Sequence, residues 1–338
     1  MDSSARSAWS FRGLPSQDVT ELISFGDSLY AGTTDGVYRA ALSGNATLWI
    51  VAGLQGKTIR ALVALSYDTL LAAVAISGVA SDTVSMFRTT NGGASWMPYQ
   101  NGFGGREPTG RQVRALARLS CQPRTLLATG NAVVAKSTNG GASWRVVWGD
   151  WASYGPGTHF VETVPGRPDV VWAGGESASA QAFLVVSTNQ AEGWRSVSPV
   201  MGDNAAYSAA MDPTNPAIVY VGVEGRVLKT TDGGRAWAAI LSHTGYPYFY
   251  GVAISGSRPA TVYAAGAINT GLPQGLILYR SDDGGASWSE SVEGTMQRGG
   301  IRDLLLWSDG RTDRLFLATA DGVYEYMATA DGVYEYMP

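Results

Sequence analysis

Arg88-Thr-Thr-Asn-Gly-Gly-Ala-Ser-Trp96 recurs along the chain with small changes. It returns as Lys136-Ser-Thr-Asn-Gly-Gly-Ala-Ser-Trp144, as Lys229-Thr-Thr-Asp-Gly-Gly-Arg-Ala-Trp237 and as Arg280-Ser-Asp-Asp-Gly-Gly-Ala-Ser-Trp288. A worn copy is Ser187-Thr-Asn-Gln-Ala-Glu-Gly-Trp194, and a more degenerate one ends at Trp49 after Ser43-Gly44-Asn45. These tryptophans are roughly 43 to 51 residues apart, close to the period of a four-stranded propeller blade.

The chemistry of the phrase is that of a hairpin turn with a polar clamp. Asn91, Asn139, Asp232 and Asp283 stand where a short side-chain oxygen accepts backbone N–H bonds within a turn. The glycine pair that follows, Gly92 and Gly93 in the first clear copy, allows positive φ without a Cβ clash. Trp96, Trp144, Trp237 and Trp288 open the next strand with a large ring to pack against neighbouring structure. These are scaffold duties, so a carboxylate in the phrase is not a sign of acid–base catalysis.

The phrase resembles the Asp-box, or BNR, motif S/T-x-D/N-x-G-x-x-W. That motif occurs in sialidases, xyloglucan-cleaving glycosidases, the sortilin ectodomain and the propeller-type photosystem II assembly factors. The resemblance covers nearly the whole chain. It implies an all-β propeller and is poorly specific for function. In size and single-domain build the chain is most similar to the photosystem II assembly factors.

Two strand signals precede each phrase. The first runs from Val19-Thr-Glu-Leu22 through Ile59, Val113, His159, Ala206 and Phe249 to Ile301-Arg-Asp-Leu304. The second runs from Leu29-Tyr-Ala-Gly32 to Leu315-Phe-Leu-Ala318. Each occurs seven times, which predicts seven four-stranded antiparallel blades in one propeller domain spanning 1–338. Six repeats end in a Trp phrase; the seventh stops after Gly322-Val-Tyr-Glu-Tyr326. Ser7-Ala-Trp9-Ser-Phe11 reads as its missing outer strand, so blade seven combines about 300–327 with residues 6–12 and closes the ring. Residues 318–327 are repeated without change as 328–337. That duplicated tail either competes with the N-terminal strand or lies outside the ring.

Composition narrows the function classes. The net charge of −4 gives no global basic field for nucleic acid. No 18-residue apolar run marks a membrane span. The start, MDSSARSAWS, lacks the apolar core of a signal peptide. The family resemblance favours a periplasmic or secreted protein; the bare start reads either as cytoplasmic or as a chain without its leader. Cys121 is the single cysteine, which excludes an intrachain disulfide. His159 and His243 are the only histidines and have no Cys or Glu at ligand spacing, so neither a metal nor a cofactor is expected. Asp282-Asp283-Gly284 looks like a calcium loop but belongs to the repeat.

Aligning the seven inner strands gives one informative column: Thr20, Arg60, Arg114, Phe160, Tyr207, Tyr250 and Arg302. Facing the channel, its Arg and aromatic members form a ring suited to a carboxylate, an acidic side chain or a sugar. The next column holds Glu21 and Asp303, which read either as part of that site or as ion-pair partners of Arg60 and Arg302. Sialidases set three Arg on a substrate carboxylate beside a Tyr nucleophile, a role the resemblance would give to Arg60, Arg114, Arg302 and Tyr250. Their early Phe-Arg-Ile-Pro is Phe11-Arg-Gly-Leu-Pro15 here. Two aromatic segments, Val147–Gly157 with Trp148, Trp151 and Tyr154, and Tyr246-Pro-Tyr-Phe-Tyr250, read as inter-blade packing or as a sticky face. The expectation is a non-enzymatic binding or assembly propeller with a protein partner, or a glycan; the alternative is a glycoside hydrolase working at the channel mouth.

Overall fold

The computed structural model describes residues 9–43, 48–76, 84–103, 112–150, 157–164, 166–197, 204–268, 273–298, 300–308 and 312–328. They form 28 strands in seven four-stranded antiparallel sheets, with no helix among the described residues. β1 (Trp9–Gly13) stands apart and returns in the last blade. Blade one is β2 (Val19–Phe25), β3 (Ser28–Thr33), β4 (Gly36–Ala41) and β5 (Ile50–Val51). Blade two is β6 (Ile59–Ala64), β7 (Leu70–Val74), β8 (Met86–Thr89) and β9 (Met97–Pro98). Blade three is β10 (Leu116–Arg118), β11 (Leu126–Gly130), β12 (Val133–Ser137) and β13 (Arg145–Gly149). Blade four is β14 (Gly157–Val164), β15 (Arg167–Glu176), β16 (Ala182–Ser187) and β17 (Arg195–Ser196). Blade five is β18 (Ala206–Met211), β19 (Val219–Val223), β20 (Arg226–Thr230) and β21 (Ala238–Ser242). Blade six is β22 (Tyr248–Ile254), β23 (Val262–Ala267), β24 (Pro273–Ser281) and β25 (Ser289–Arg298). Blade seven is β26 (Ile301–Ser308), β27 (Asp313–Thr319), β28 (Gly322–Ala328) and then β1.

The recurring phrase is the turn between the third and fourth strands. In blade two the Thr89 hydroxyl donates to Asn91 Oδ1 at 2.9 Å, and Asn91 Oδ1 accepts the Ser95 N–H at 2.9 Å. Thr89 Oγ1 also accepts the Gly93 N–H at 3.0 Å. Gly92 and Gly93 have φ of 67° and 96°, and a Cβ on Gly93 would collide with the Ala52 carbonyl of blade one. Asn139, Asp232 and Asp283 accept the equivalent backbone bonds in their blades. The Asp283 carboxyl is drawn down to about 2, first by the Ser287 hydroxyl and then by its N–H.

Each tryptophan looks back one blade. Trp96 Nε1 donates to the Ala52 carbonyl at 2.8 Å, and Trp237 Nε1 donates to the Val197 carbonyl at 3.1 Å. Trp49 donates to the Arg12 carbonyl at 2.8 Å, and Trp144 packs edge-on against Phe103 at 5.9 Å. The basic residue before the phrase looks forward: Lys136 Nζ reaches the Gln190 carbonyl and Lys229 Nζ the Gly284 carbonyl, both at 2.6 Å. Between neighbouring blades lie apolar clusters, seven among the described residues. Large rings on the second strands fill them, among them Tyr30, Trp172, Tyr220, Tyr263 and Phe316. Trp148 belongs to this packing, stacked on Phe183 at 5.5 Å; Trp151 and Tyr154 lie outside the described residues.

Blade seven closes the ring as its truncated repeat predicts. β1 runs antiparallel to β28, with Trp9 opposite Tyr326 and Phe11 opposite Tyr324. Trp9 Nε1 donates to Ser291 Oγ of blade six at 3.0 Å, the backward link made by other phrase tryptophans. Glu325, 1% exposed, sits between Arg12 at 3.1 Å and Arg314 at 2.5 Å. Arg314 also donates to the Leu42 carbonyl of blade one at 2.8 Å, tying the closing blade to the next. The second copy in the C-terminal duplication lies outside the described residues beyond Ala328.

Candidate channel-mouth site

Each inner strand begins with a bulge, and the bulged residue points into the channel. Register shifts fall across Thr20, Arg60, His159, Tyr207, Tyr250 and Arg302. In blade three the Arg114 N–H and the Ala115 carbonyl share Thr129 in the same way. A bulge re-aims one side chain while the flanking residues stay in the sheet. Seven-fold repetition of that device sets a ring of side chains at one mouth of the channel.

Arg60, Arg114, Arg302 and Tyr250 line the mouth, a cavity of about 580 Å³, and Tyr207 lines the adjoining channel of about 1030 Å³. Phe160 leaves the ring. The blade-four bulge falls one residue earlier, on His159, so Phe160 turns into the core between blades four and five. His159 was missed as a ring member because the apolar Phe160-Val161 pair imitates the start of the other inner strands. Aligning Thr158 with Val19, Ile59, Val113 and Ile301 would have found it.

The ring has two halves. Blades seven, two and three give Arg302, Arg60 and Arg114, with Thr20 of blade one among them. Arg302 pairs with Asp18 at 3.0 Å. Arg114 Nε donates to Asn131 Oδ1 at 3.0 Å. Arg60 makes no ion pair among the described residues, and its charge lowers the Arg114 pKa, after desolvation and against an upward pull from Glu176. Blades four to six give the aromatic half. His159 stacks on Tyr207 at 5.6 Å, and Tyr207 meets Tyr248 and Tyr250 edge-on, each at 5.1 Å. His159 Nδ1 lies 3.2 Å from the Ala206 carbonyl. Burial, then Arg114, push its pKa down to about 4, so at neutral pH it is uncharged and its Nδ1–H donates.

Glu21, Glu162 and Asp303 lie in the channel beside this ring. They do not neutralise the arginines: Arg302 takes Asp18, and Asp303 accepts the Leu22 and Leu304 N–H groups, each at 2.8 Å. Burial pushes all three carboxyls up, and repulsion from Asp303 adds to it at Glu21 and Glu162. Glu21 rises well above its ordinary value by desolvation and then by Asp303, Glu162 to about 8 by the same causes, and Asp303 to about 6 by desolvation. Glu162 is open to solvent in the lumen and yet ringed by blades, so its carboxyl meets protein in most directions. No group of three His, Cys, Asp or Glu among the described residues is close enough to hold a metal ion. Nor is any described helix long and apolar enough to cross a membrane. The far end of the channel has another character, with Phe25 edge-on to Tyr67 at 5.3 Å under Arg118 at 5.5 Å.

No family model and no curated protein matches the chain. Solved structures do. A structure of YCF48 bound to D1 peptide superposes with a TM-score of 0.68 at 14% identity, covering 98% of this chain and 100% of that one. The GH74 xyloglucanase from Xanthomonas campestris gives 0.68 at 18% identity over 94% of this chain and 53% of its own. An ancestral GH74 enzyme gives 0.64 at 21% over 81% and 37%. The shared fold is the seven-bladed propeller. At these identities the likeness carries the fold alone, and this chain spans only 37% to 53% of the GH74 enzymes.

Proposed function

We propose that this chain is a binding propeller whose mouth grips an anionic segment of a partner protein. The observation that carries the reading is the Arg60–Arg114 pair. Two guanidinium groups line one open mouth, near enough for Arg60 to act on Arg114, and among the described residues neither has a carboxylate bonded to it, although Glu176 offsets part of the repulsion at Arg114. Holding like charges together is unfavourable unless an anion joins them, and guanidinium forks suit carboxylates. The Tyr207, Tyr248 and Tyr250 rings opposite offer an apolar wall to the rest of the segment. The single-propeller build, the turn phrase read as an Asp box, and the likeness to YCF48 bound to a peptide agree with an assembly or scaffold role, with 1–338 forming one domain.

A second reading, a glycoside hydrolase, draws on Glu162 and Asp303, whose raised pKa values suit a general acid. Titration with a peptide rich in Asp and Glu separates the two. The binding reading expects affinity that falls with added salt and is weakened by Arg60→Ala and Arg114→Ala while the fold is kept. Absence of binding at low salt, or glycan hydrolysis abolished by Glu162→Gln, would turn the assignment toward the enzyme.

A further inference from the structure

A second cavity, of about 520 Å³, opens off the channel axis between the β19–β20 turn and the segment from β21 to β22. An isolated β-bridge between Glu224 and Tyr248 joins its rim to the aromatic half of the mouth. Tyr246 stands in this cavity, 67% exposed, with a φ of 50°. The left-handed conformation costs a residue with a Cβ about 1 kcal/mol or more, and such strain is kept where the surroundings enforce it. Here four hydrogen bonds enforce it. The Tyr246 N–H donates to the His243 carbonyl at 3.2 Å and the Gly245 N–H to His243 Nδ1 at 2.9 Å. The His243 N–H donates to the Gly225 carbonyl at 2.9 Å and the Gly225 N–H to the Pro247 carbonyl at 2.8 Å. The Tyr246 ring rests on the Gly225 backbone, where a Cβ would come within 2.8 Å of Cδ1. The ring is thereby supported by backbone and still mostly open to solvent.

The groups around that ring are polar and of mixed sign. Glu224 Oε2 accepts the Asn204 Nδ2–H at 2.5 Å, which leaves Oε1 and Asn204 Oδ1 as acceptors. His243 accepts on Nδ1, so its remaining N–H is at Nε2. Arg226 adds a cation to the same wall. An anion would face Glu224 and a cation would face Arg226. A neutral polyol suits both, because each hydroxyl donates to one group and accepts from another.

We propose that this cavity is a glycosyl-binding site, which takes one neutral pyranose unit with its C–H face on Tyr246 and hydroxyls on Glu224 and Asn204. It binds without reaction and does not depend on the mouth's preference for anions. The test is calorimetric titration of the full chain with cellotriose and with maltotriose, one β-linked and one α-linked, up to about 10 mM. One of them is expected to bind. Tyr246→Gly, which relieves the left-handed strain and so keeps the fold, should weaken it roughly tenfold or more. Glu224→Gln should weaken it too, while Arg114→Ala should leave it unchanged. The proposal is overturned if neither trisaccharide binds to the folded protein, if binding survives Tyr246→Gly, or if a lysine-rich peptide occupies the cavity in preference to both sugars.

Discussion

At the residue scale the mouth is governed by charges held close together. Arg60 and Arg114 repel, so an anion between them relieves strain as well as forming hydrogen bonds. Removing either guanidinium should cost about 1.5–3 kcal/mol of anion affinity, roughly tenfold to a hundredfold. The thermal midpoint should stay the same or rise, and a large fall would show that Arg114 serves the fold instead. The lumen carboxyls make a second prediction. Asp303 at about 6 and Glu162 at about 8 lie above the values they take in an unfolded chain. The fold therefore retains protons that the unfolded chain has released, and stability falls as pH rises from about 4 through about 8. Solvent reaching Glu162 through the lumen softens the effect without changing its sign. Melting at pH 5.5 and pH 8.5 checks it, and Glu162→Gln with Asp303→Asn should flatten the difference. A midpoint that climbs over that range would contradict it. Much of this site was legible as a column of Arg and Tyr in the sequence. The exchange of Phe160 for His159 was harder to read, because a bulge shifts register by one residue and leaves no mark in local hydrophobicity; only the alignment on Thr158 carries it.

At the scale of the element, the turn phrase was legible because its chemistry is local. A side-chain oxygen, two glycines and a tryptophan dictate one hairpin, whatever surrounds it. The worn copy in blade four shows what happens when part of that chemistry is lost. Ser187 and Asn189 keep the clamp, with Ala191 N–H to Ser187 Oγ at 2.9 Å and Gly193 N–H to Asn189 Oδ1 at 2.7 Å. The two left-handed positions are now Gln190 and Ala191, both with φ of 63°. Restoring glycine at Gln190 should stabilise the protein by about 0.5–1 kcal/mol, since the left-handed penalty exceeds the entropy glycine adds to the unfolded chain. The exposed side-chain bond from Gln122 to Gln190, at 2.8 Å, is lost in exchange. A lower melting temperature for Gln190→Gly would mean that this contact matters more than the backbone strain. The bulges are the opposite case. They arise from strand pairing between residues far along the chain, and nothing in an isolated inner strand announces them.

For the whole molecule the decisive contact is between β1 and β28. Its existence could be read from a tryptophan out of place, Trp9, and from a last repeat lacking one. The lock inside it could not, since Arg12, Glu325 and Arg314 carry no signature until the termini meet. Glu325→Ala would leave the buried Arg12 and the half-buried Arg314 without their shared carboxylate and should cost about 3–5 kcal/mol. Deleting residues 1–12 should expose the β28 edge and promote aggregation. A monodisperse truncation with an unchanged melting temperature would show that the ring holds without its clasp. The same clasp also has a consequence in time. Trp9 leaves the ribosome about 320 residues ahead of Tyr326, so at ordinary synthesis rates it waits roughly 15 to 60 s for its partner. Through that interval β1 is an orphan strand, and the growing arc of blades has two raw ends. Nascent chains crowded on one messenger could pair β1 with a neighbour's β28, which would make linked rings rather than single ones.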